Sequence, residues 1–355
     1  MKPARIVTSL IQVTILTFLI IKGAISGDVH LIGSIKHTIQ PTAESSSNYN
    51  GLNNKKVIQL LKIELSDEAK KLLVRRIKDI ATDRSQAPLS LLNTETPKMV
   101  QLAMNHVPVL DQGPHGTCIT FAITGALDAV IGQGDYISQL CHLQLGNYLE
   151  QHGYAMSGWD GNYPIAVINQ IEQYGIVNKE KQTTIGCGGL TEYPNHSNKK
   201  PDSFIDPKEY STMNELIFGK IVNWSNIYWR ISSAWTLNEV KEALRSGDRS
   251  VFAIMLPRLD LGVVGAVGNY KTKNDTWLIT SDVLVGLPNI QAAHGMIITG
   301  YDDNAVAVDN YGKKHTGLLT LRNSWGSNMG NNGEFYMSYD YFRLLTYDVR
   351  RFSPN

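Results

Sequence analysis

The stretch Asp111-Gln112-Gly113-Pro114-His115-Gly116-Thr117-Cys118-Ile119-Thr120-Phe121-Ala122 limits the possible folds more than any other. A Gly-broken loop gives way there to an apolar-periodic helix from Cys118 to Val130. Ile119, Ala122, Ile123, Ala126 and Val130 can face a core, and Gly132 and Gly134 end the helix. The helix begins on a cysteine. Unpaired N–H groups and the positive end of the helix dipole meet the thiol at that position and favour thiolate. Thiolate is the nucleophilic form, so the placement points to a reactive cysteine rather than a packing one. Gln112 puts an amide side chain six residues upstream.

Two further segments supply a context. His294 opens the run Gly295-Met296-Ile297-Ile298-Thr299-Gly300, which has an apolar core and a Gly stop and reads as a buried strand with the histidine near its rim. Leu318-Leu319-Thr320-Leu321-Arg322 reads as another strand and runs into Asn323-Ser324-Trp325-Gly326. A lone histidine beside a strand is more often structural, and a lone Asn-Ser-Trp-Gly is a plausible turn. The order Cys, His, Asn, each in its own setting, matches a known variant of triad chemistry.

These segments resemble the papain-like (C1 family) cysteine peptidases. Gln112-Gly113-Pro114, Cys118, Phe121-Ala122, His294, the Asn323 tetrapeptide, Gly330 and Gly333-Glu334-Phe335-Tyr336 stand as in that family. Motif-level resemblance covers roughly 107–176 and 236–340. It implies an α+β fold of two lobes, with Cys118 on a mainly helical lobe and His294 and Asn323 on a β-barrel-like lobe. It implies peptide hydrolysis through a Cys118 thioester. His294 is then acid and base, Asn323 its orienting partner, Trp325 the shield over that hydrogen bond, and Gln112 an oxyanion donor with the Cys118 N–H. Gly161 and Asn162 occupy the place where the family pairs substrate backbone, and an asparagine there is expected to narrow the approach. Pro164 and Gly295 match positions lining the main specificity pocket, which implies a preference for an apolar residue two positions before the cut. The partners implied are protein or peptide substrates and the chain's own pro-segment, acting on a monomer. No cofactor is implied. Two alternatives remain: another Cys-His acyltransferase, transglutaminase-like, or a catalytically silent papain-fold binding protein.

One departure from the family is informative. His115 and Trp159 stand where the family carries a bridged cysteine pair, so both halves of the bridge are missing together. A lost cross-link typically costs about 2–4 kcal/mol. Packing of His115 on Trp159 is a candidate for offsetting part of it. Three cysteines occur in all. With Cys118 as nucleophile, Cys141 and Cys187 are free either to form one bridge in an oxidising compartment or to stay as thiols.

The N-terminus reads as a secretory signal. Lys2 and Arg5 precede an apolar stretch from Ile6 to Ile21, and Ala24-Ile25-Ser26 predicts a cut after Ser26. A membrane anchor is the rival reading, but the run is short for a bilayer, which needs about 20 residues. The expected location is outside the cytoplasm: extracellular, periplasmic or lysosome-like. A formal net charge of +1 gives no reason to invoke nucleic acid or an anionic membrane. No paired Cys-x-x-Cys pattern or clustered histidines point to a metal site.

The expected organisation is a signal at 1–26, a pro-segment at 27–98 and a peptidase unit at 99–355. Residues 27 to about 55 read as polar and irregular, with a linker at 41–48. Lys56 to Leu65 reads as a strand, followed by a helix capped by Ser66 with Ala69, Leu72, Leu73, Ile77 and Ile80 on one face. This unit is too small for its own core and must dock, most usefully over the cleft. Pro164 starts a helix that ends at Gly175. Thr236-Leu237-Asn238-Glu239 reads as a capping box with Trp235 and Val240 as a staple. Residues 258–290 read as a long irregular segment placed to overhang the cleft.

Overall fold

Residues 27–39, 55–82 and 96–355 are described by a computed structural model. The expected signal and the linker at 41–48 lie outside the described residues. The chain opens with a hairpin of β1 (Val29–Ile39) and β2 (Lys56–Leu65), then α1 (Asp67–Thr82) and β3 (Met99–Gln101). A helical region follows: α2 (Cys118–Ile131), α3 (Gln139–Gln151), α4 (Pro164–Tyr174), α5 (Lys179–Thr184) and α6 (Pro207–Ser211). The remainder alternates β4 (Val222–Asn226), α7 (Ser233–Arg245), β5 (Arg249–Leu256), β6 (Gly268–Asn269), β7 (Thr276–Trp277), α8 (Ser281–Gly286), β8 (Ala292–Asp309), β9 (Lys314–Arg322), β10 (Glu334–Ser338), α9 (Tyr339–Leu345) and β11 (Thr346–Pro354).

The architecture is α+β with a helical lobe and a β-rich lobe, as expected. Strand β8 organises the second lobe. It pairs antiparallel with β5, β6 and β9, while β9 pairs β10 and β10 runs parallel to β7. Since β7 pairs β6, the path from β8 through β6, β7, β10 and β9 returns to β8 and closes like a small barrel. Closure leaves no open edge on that side. Helix α2 packs its apolar face on the β8 side, with Ile119, Ala122, Ile123 and Ala126 in the same core as Ile297 and Ile298. Strand β8 runs well past Gly300, to Asp309. Register breaks at Ile298/Gly300 and Asp302/Val306 let it bend there instead of stopping.

The N-terminal unit departs from expectation in one respect. Residues 29–39 are a strand, paired along its length with β2. Their alternation is interrupted at Gly33, where the register shifts and φ is +131°, and polar residues dilute it further. Ile58, Leu60, Leu61 and Ile63 of β2 are essentially fully buried and belong to the main core. Each such side chain contributes roughly 1.5–3 kcal/mol by leaving water. Ser66 caps α1 as read, its hydroxyl accepting the Ala69 N–H. Beside Ala69, Leu72 and Leu73, α1 buries Arg76, whose guanidinium donates to the carbonyls of Leu344 and Thr346 and to the Tyr228 hydroxyl.

Two other local readings need adjustment. Helix α7 begins a turn earlier than the Thr236 box, at Ser233, because the Ser232 hydroxyl takes the Trp235 N–H. Thr236 Oγ instead takes the Trp229 N–H. Residues 258–290 carry short elements, β6, β7 and α8, and β7 is built into the barrel.

Cys141 and Cys187 are bridged, tying α3 to the loop after α5 across a separation of 46 residues. Around the bridge Leu145, Leu149, Val177, Ile205, Tyr210 and Met213 form a second, small core. Replacing both cysteines by serine is expected to cost about 2–4 kcal/mol of unfolding free energy, read from the urea midpoint at constant m-value.

Candidate active site

The loop before α2 is held from several sides, which fixes where the helix begins. The Gln112 N–H donates to the Ser324 carbonyl, and the Gly116 N–H to the Trp159 carbonyl, at 2.9 and 2.8 Å. A Cβ on Gly116 would lie 2.9 Å from the Asp160 carbonyl carbon, so only glycine allows this approach. His115 packs edge-on against Trp159 at 5.0 Å, and Tyr193 stacks on Trp159 at 5.5 Å. Tyr193 also donates to the Gln112 carbonyl and meets the Thr117 hydroxyl. An aromatic cluster therefore stands where the related family has a disulfide. Trp159 was legible as its centre; Tyr193, in a segment without motif resemblance, was not.

Cys118 is the first residue of α2 and is fully buried. The backbone N–H groups of Gly295, Ile119 and Cys118 itself lie near its sulfur and favour the thiolate. Gly295 directly follows His294, so the helix start and the β8 start are in contact. A Cβ on Gly295 would fall 2.4 Å from Ile119 Cδ1, which makes glycine a packing requirement at this position.

His294 pairs opposite Ile254 on the central strand β5 and is fully buried. Its Nε2 meets Asn323 Oδ1 at 2.8 Å. Trp325 lies over the imidazole at 4.7 Å between ring centroids, with 25° between planes. Asn323 Oδ1 also accepts the Ser324 N–H. His294 Nδ1 has no hydrogen-bond partner among the described residues, so it does not engage the thiol in this arrangement.

Burial dominates the electrostatics. It pushes the Cys118 thiol up to about 12, against the pull of the three N–H groups. It depresses His294 to about 4, and the Asn323 bond recovers only part of that. Both groups are neutral near pH 7 in this state. The helix-terminus argument for thiolate is sound in sign but loses to desolvation here.

The hairpin lies over the residues around this junction. Gln112 Nε2, the expected oxyanion donor, gives its hydrogen bonds to the Gln59 carbonyl of β2 at 3.2 Å and to the His115 carbonyl at 2.8 Å. Ser324 Oγ donates to Gln112 Oε1 at 2.8 Å and so fixes which end of the amide points where. That orienting role was hidden inside the Asn-Ser-Trp-Gly run. Leu61 of β2 pairs with Ala293, next to His294. Leu31 and Leu61 sit over Gly161, within 3.1 and 2.9 Å of where a Cβ would be. Lys56 locks the start of β2 by reaching Asp111 and the Trp325 carbonyl.

The remaining expected residues separate. Gly161 faces the hairpin. The Asn162 side chain turns back to the Met156 carbonyl and its neighbour's N–H, so it does not narrow the approach over Gly161. Pro164 is the buried first residue of α4. Gly295 packs on Ile119. A cavity of about 110 Å³ lies between the hairpin and the β-rich lobe, lined by Val29, Tyr163, Tyr228, Tyr347 and Asp348, among others. Tyr347 lies close enough to feel Cys118 electrostatically. Among the described residues no cluster of His, Cys, Asp or Glu could hold a metal ion.

Residues 287–351 match a family model described as the Peptidase C1-like family, a segment that holds His294, Asn323 and Trp325. No curated protein matches the sequence. Among solved structures, xylellain, a cysteine protease from Xylella fastidiosa, is similar at 19% identity and TM-score 0.47, over 76% of this chain and 90% of that one. Digestive procathepsin L 3 of Tenebrio molitor larval midgut is similar at 19% identity and TM-score 0.44, over 79% and 78%. Bromelain from Ananas comosus, in complex with the E64 inhibitor, is similar at 15% identity and TM-score 0.44, over 73% and 99%.

The depressed histidine gives a pH signature. A group whose folded pKa lies below its ordinary value stabilises fully above that ordinary value and loses the contribution as pH falls. For His294 the window runs from 6.5 down to about 4, and buried His142 shares it. Asp128 and Asp348, both raised by burial, work in the opposite direction, while His115 and His37, lowered by burial, act with the two histidines. Unfolding free energy is expected to fall as pH drops from 6.5 towards 4. His294→Gln is expected to flatten that slope in urea titrations at stepped pH.

Proposed function

We propose that this chain is a cysteine peptidase made as a self-covered precursor. The observation that carries the reading is the buried His294–Asn323 hydrogen bond under the Trp325 ring, one residue from Gly295, which packs against Ile119 beside Cys118. In the reaction Cys118 attacks the scissile carbonyl as thiolate, with His294 as the imidazolium that received its proton. His294 then protonates the leaving amine and activates water to release the thioester. Asn323 keeps Nε2 occupied, which leaves Nδ1 as the nitrogen available to the thiol. Gln112 Nε2 and the Cys118 N–H receive the oxyanion; a donor of this kind is worth about 2.7–4 kcal/mol in the barrier.

The same geometry supports a pro-segment reading for residues 27–98. The β2 carbonyl of Gln59 occupies the Gln112 donor, and Leu31 and Leu61 cover Gly161, where substrate backbone is expected. Removing the hairpin readmits water and a polar substrate, which reverses the desolvation that holds Cys118 and His294 neutral. Substrate then pairs at Gly161 and Asn162. The side chain two positions before the cut is an apolar one, received beside Tyr163 and Tyr347 on the face that Val29 of the hairpin vacates. Trp325 and Gly295 hold the site's shape from below, and Pro164 sets the start of the helix behind it. The Cys141–Cys187 bridge supports secretion into an oxidising compartment after removal of 1–26. No described helix is long and apolar enough to cross a membrane. The enzyme acts as a monomer on protein or peptide substrates.

Whole-mass and N-terminal analysis of secreted wild type beside Cys118→Ala tests this reading. Wild type is expected to lose its N-terminal unit and to gain the mass of an irreversible thiol-reactive peptidyl inhibitor. Cys118→Ala is expected to stay intact and unlabelled. An unlabelled, uncovered wild type would leave a binding protein. On a peptide substrate Gln112→Ala is expected to lower kcat by about 10²–10³. Lys56→Ala, which frees the start of β2, is expected to raise the rate of inhibitor labelling of the uncut chain.

A further inference from the structure

Beside the root of the hairpin, three large apolar side chains are exposed together. Trp229, Ile231 and Trp235 are 45%, 72% and 56% exposed, and the two indoles meet edge to face at 5.5 Å between ring centroids. They stand on a tight turn before α7. The Ser232 N–H donates to the Trp229 carbonyl, which puts Arg230 and Ile231 at the tip, and the Thr236 hydroxyl accepts the Trp229 N–H at 2.9 Å. Behind the turn the buried Arg76 guanidinium donates to the Tyr228 hydroxyl and the Arg230 carbonyl. The backbone is thus held from two sides, and the apolar tip stays in water because the fold keeps it there.

What covers this patch follows from where the chain enters and from the chemistry of its surface. Asp28 is fixed at the turn: its carboxylate takes two hydrogen bonds from the Arg230 guanidinium, and its carbonyl takes the Ser66 N–H. The apolar run Ile6 to Ile21 ends seven residues before Asp28, a link that spans at most about 25 Å when extended. A chain leaving a bilayer with that run still inside it therefore carries the turn to the membrane surface. Neither the Trp229 nor the Trp235 indole N–H has a hydrogen-bond partner among the described residues. A ring with an apolar body and a free donor suits the boundary where headgroup oxygens meet acyl chains. The charges beside the turn are already paired, Arg230 with Asp28 and Lys71 with Glu68.

We propose that the Trp229–Ile231–Trp235 turn is a membrane-docking surface, which inserts into the interfacial layer of a lipid bilayer and holds the chain there after residues 1–26 are removed. The proposal does not depend on the peptidase reading. Because the neighbouring cations are paired, neutral lipid is enough, and binding changes little with salt. Three inserted side chains give a shallow, reversible attachment rather than an anchor. The turn lies within residues 99–355, so the attachment stays with the peptidase unit when the hairpin leaves.

The test mixes the secreted chain, kept uncut by Cys118→Ala, with phosphatidylcholine vesicles. Flotation is expected to carry the protein up with the vesicles, equally at low and high salt. Ile231→Glu, at an exposed tip, is expected to lower the bound fraction about tenfold or more and to leave the urea midpoint unchanged, and Ile231→Trp to raise binding. Vesicles with brominated acyl chains are expected to quench tryptophan fluorescence, and Trp229→Phe with Trp235→Phe to remove that quenching. Residues 1–26 contain no tryptophan, so the quenching decides the matter for any preparation that retains them. For protein lacking 1–26, flotation equal to that of Ile231→Glu overturns the proposal, as does absence of quenching in either form. Binding that requires phosphatidylglycerol and vanishes at high salt overturns it in favour of a charge contact elsewhere. A dimer in vesicle-free solution that Ile231→Glu abolishes overturns it in favour of a second copy of the chain.

Discussion

The contact between the start of α2 and the start of β8 sets every other relation in the site. Gly295 lies against Ile119 so closely that no Cβ fits, and its N–H lies near the Cys118 sulfur. One missing side chain thus brings the helix N-terminus within reach of the strand that carries His294. The two elements lie far apart in sequence, and each is fixed by its own lobe. Gly116 on Asp160 anchors the nucleophile loop, and pairing with β5 and β9 anchors the strand. Asn323 and Ser324 then reach both sides of the junction, one to His294 and the other to Gln112.

That junction is chemically quiet as long as it is dry. A thiolate–imidazolium pair buried without water loses more in desolvation than it recovers in mutual attraction unless its geometry is ideal. In this structure β2 pairs beside His294 at Ala293 and takes the Gln112 Nε2 hydrogen on its own Gln59 carbonyl. The mode is strand pairing along β8 and apolar burial over Gly161, and α1 acts as a remote anchor through Arg76. A guanidinium that satisfies two backbone carbonyls and a hydroxyl in the interior is costly to strip of its partners, which keeps the hairpin seated even though it contacts the cleft through few polar groups.

Much of this was legible in the sequence because it depends on residue types that have few substitutes. The Gly-broken loop before Cys118, the Asn-Ser-Trp-Gly turn and the amphipathic α1 each announce a local geometry. The bridge between Cys141 and Cys187 was left open because cysteine spacing does not carry distance. Strand β1 was missed for a definite reason: its inward positions 29, 31, 33, 35, 37 and 39 keep one period of two, but Gly33 and His37 stand at two of them and Ile32 on the outward side, so the apolar alternation is diluted. The early start of α7 was missed because two adjacent hydroxyls, Ser232 and Thr236, compete to cap, and a tertiary bond to Trp229 decides between them. The sign of the Cys118 shift was missed because a helix terminus is a local feature, whereas burial depends on segments distant in the chain.

The neutral, closed site and the uncharged groove beside it share one physical logic. Where desolvation governs, each charged wall would have to be paired or would resist closure. The cleft meets that constraint with Leu31, Leu61 and an imidazole held neutral. The groove between the end of α3 and α4 is lined by carboxamides, tyrosines and apolar side chains, with no charged group among them. The ion pairs that tie the hairpin down, Lys56 with Asp111 and Arg230 with Asp28, are partly exposed, where water screens them.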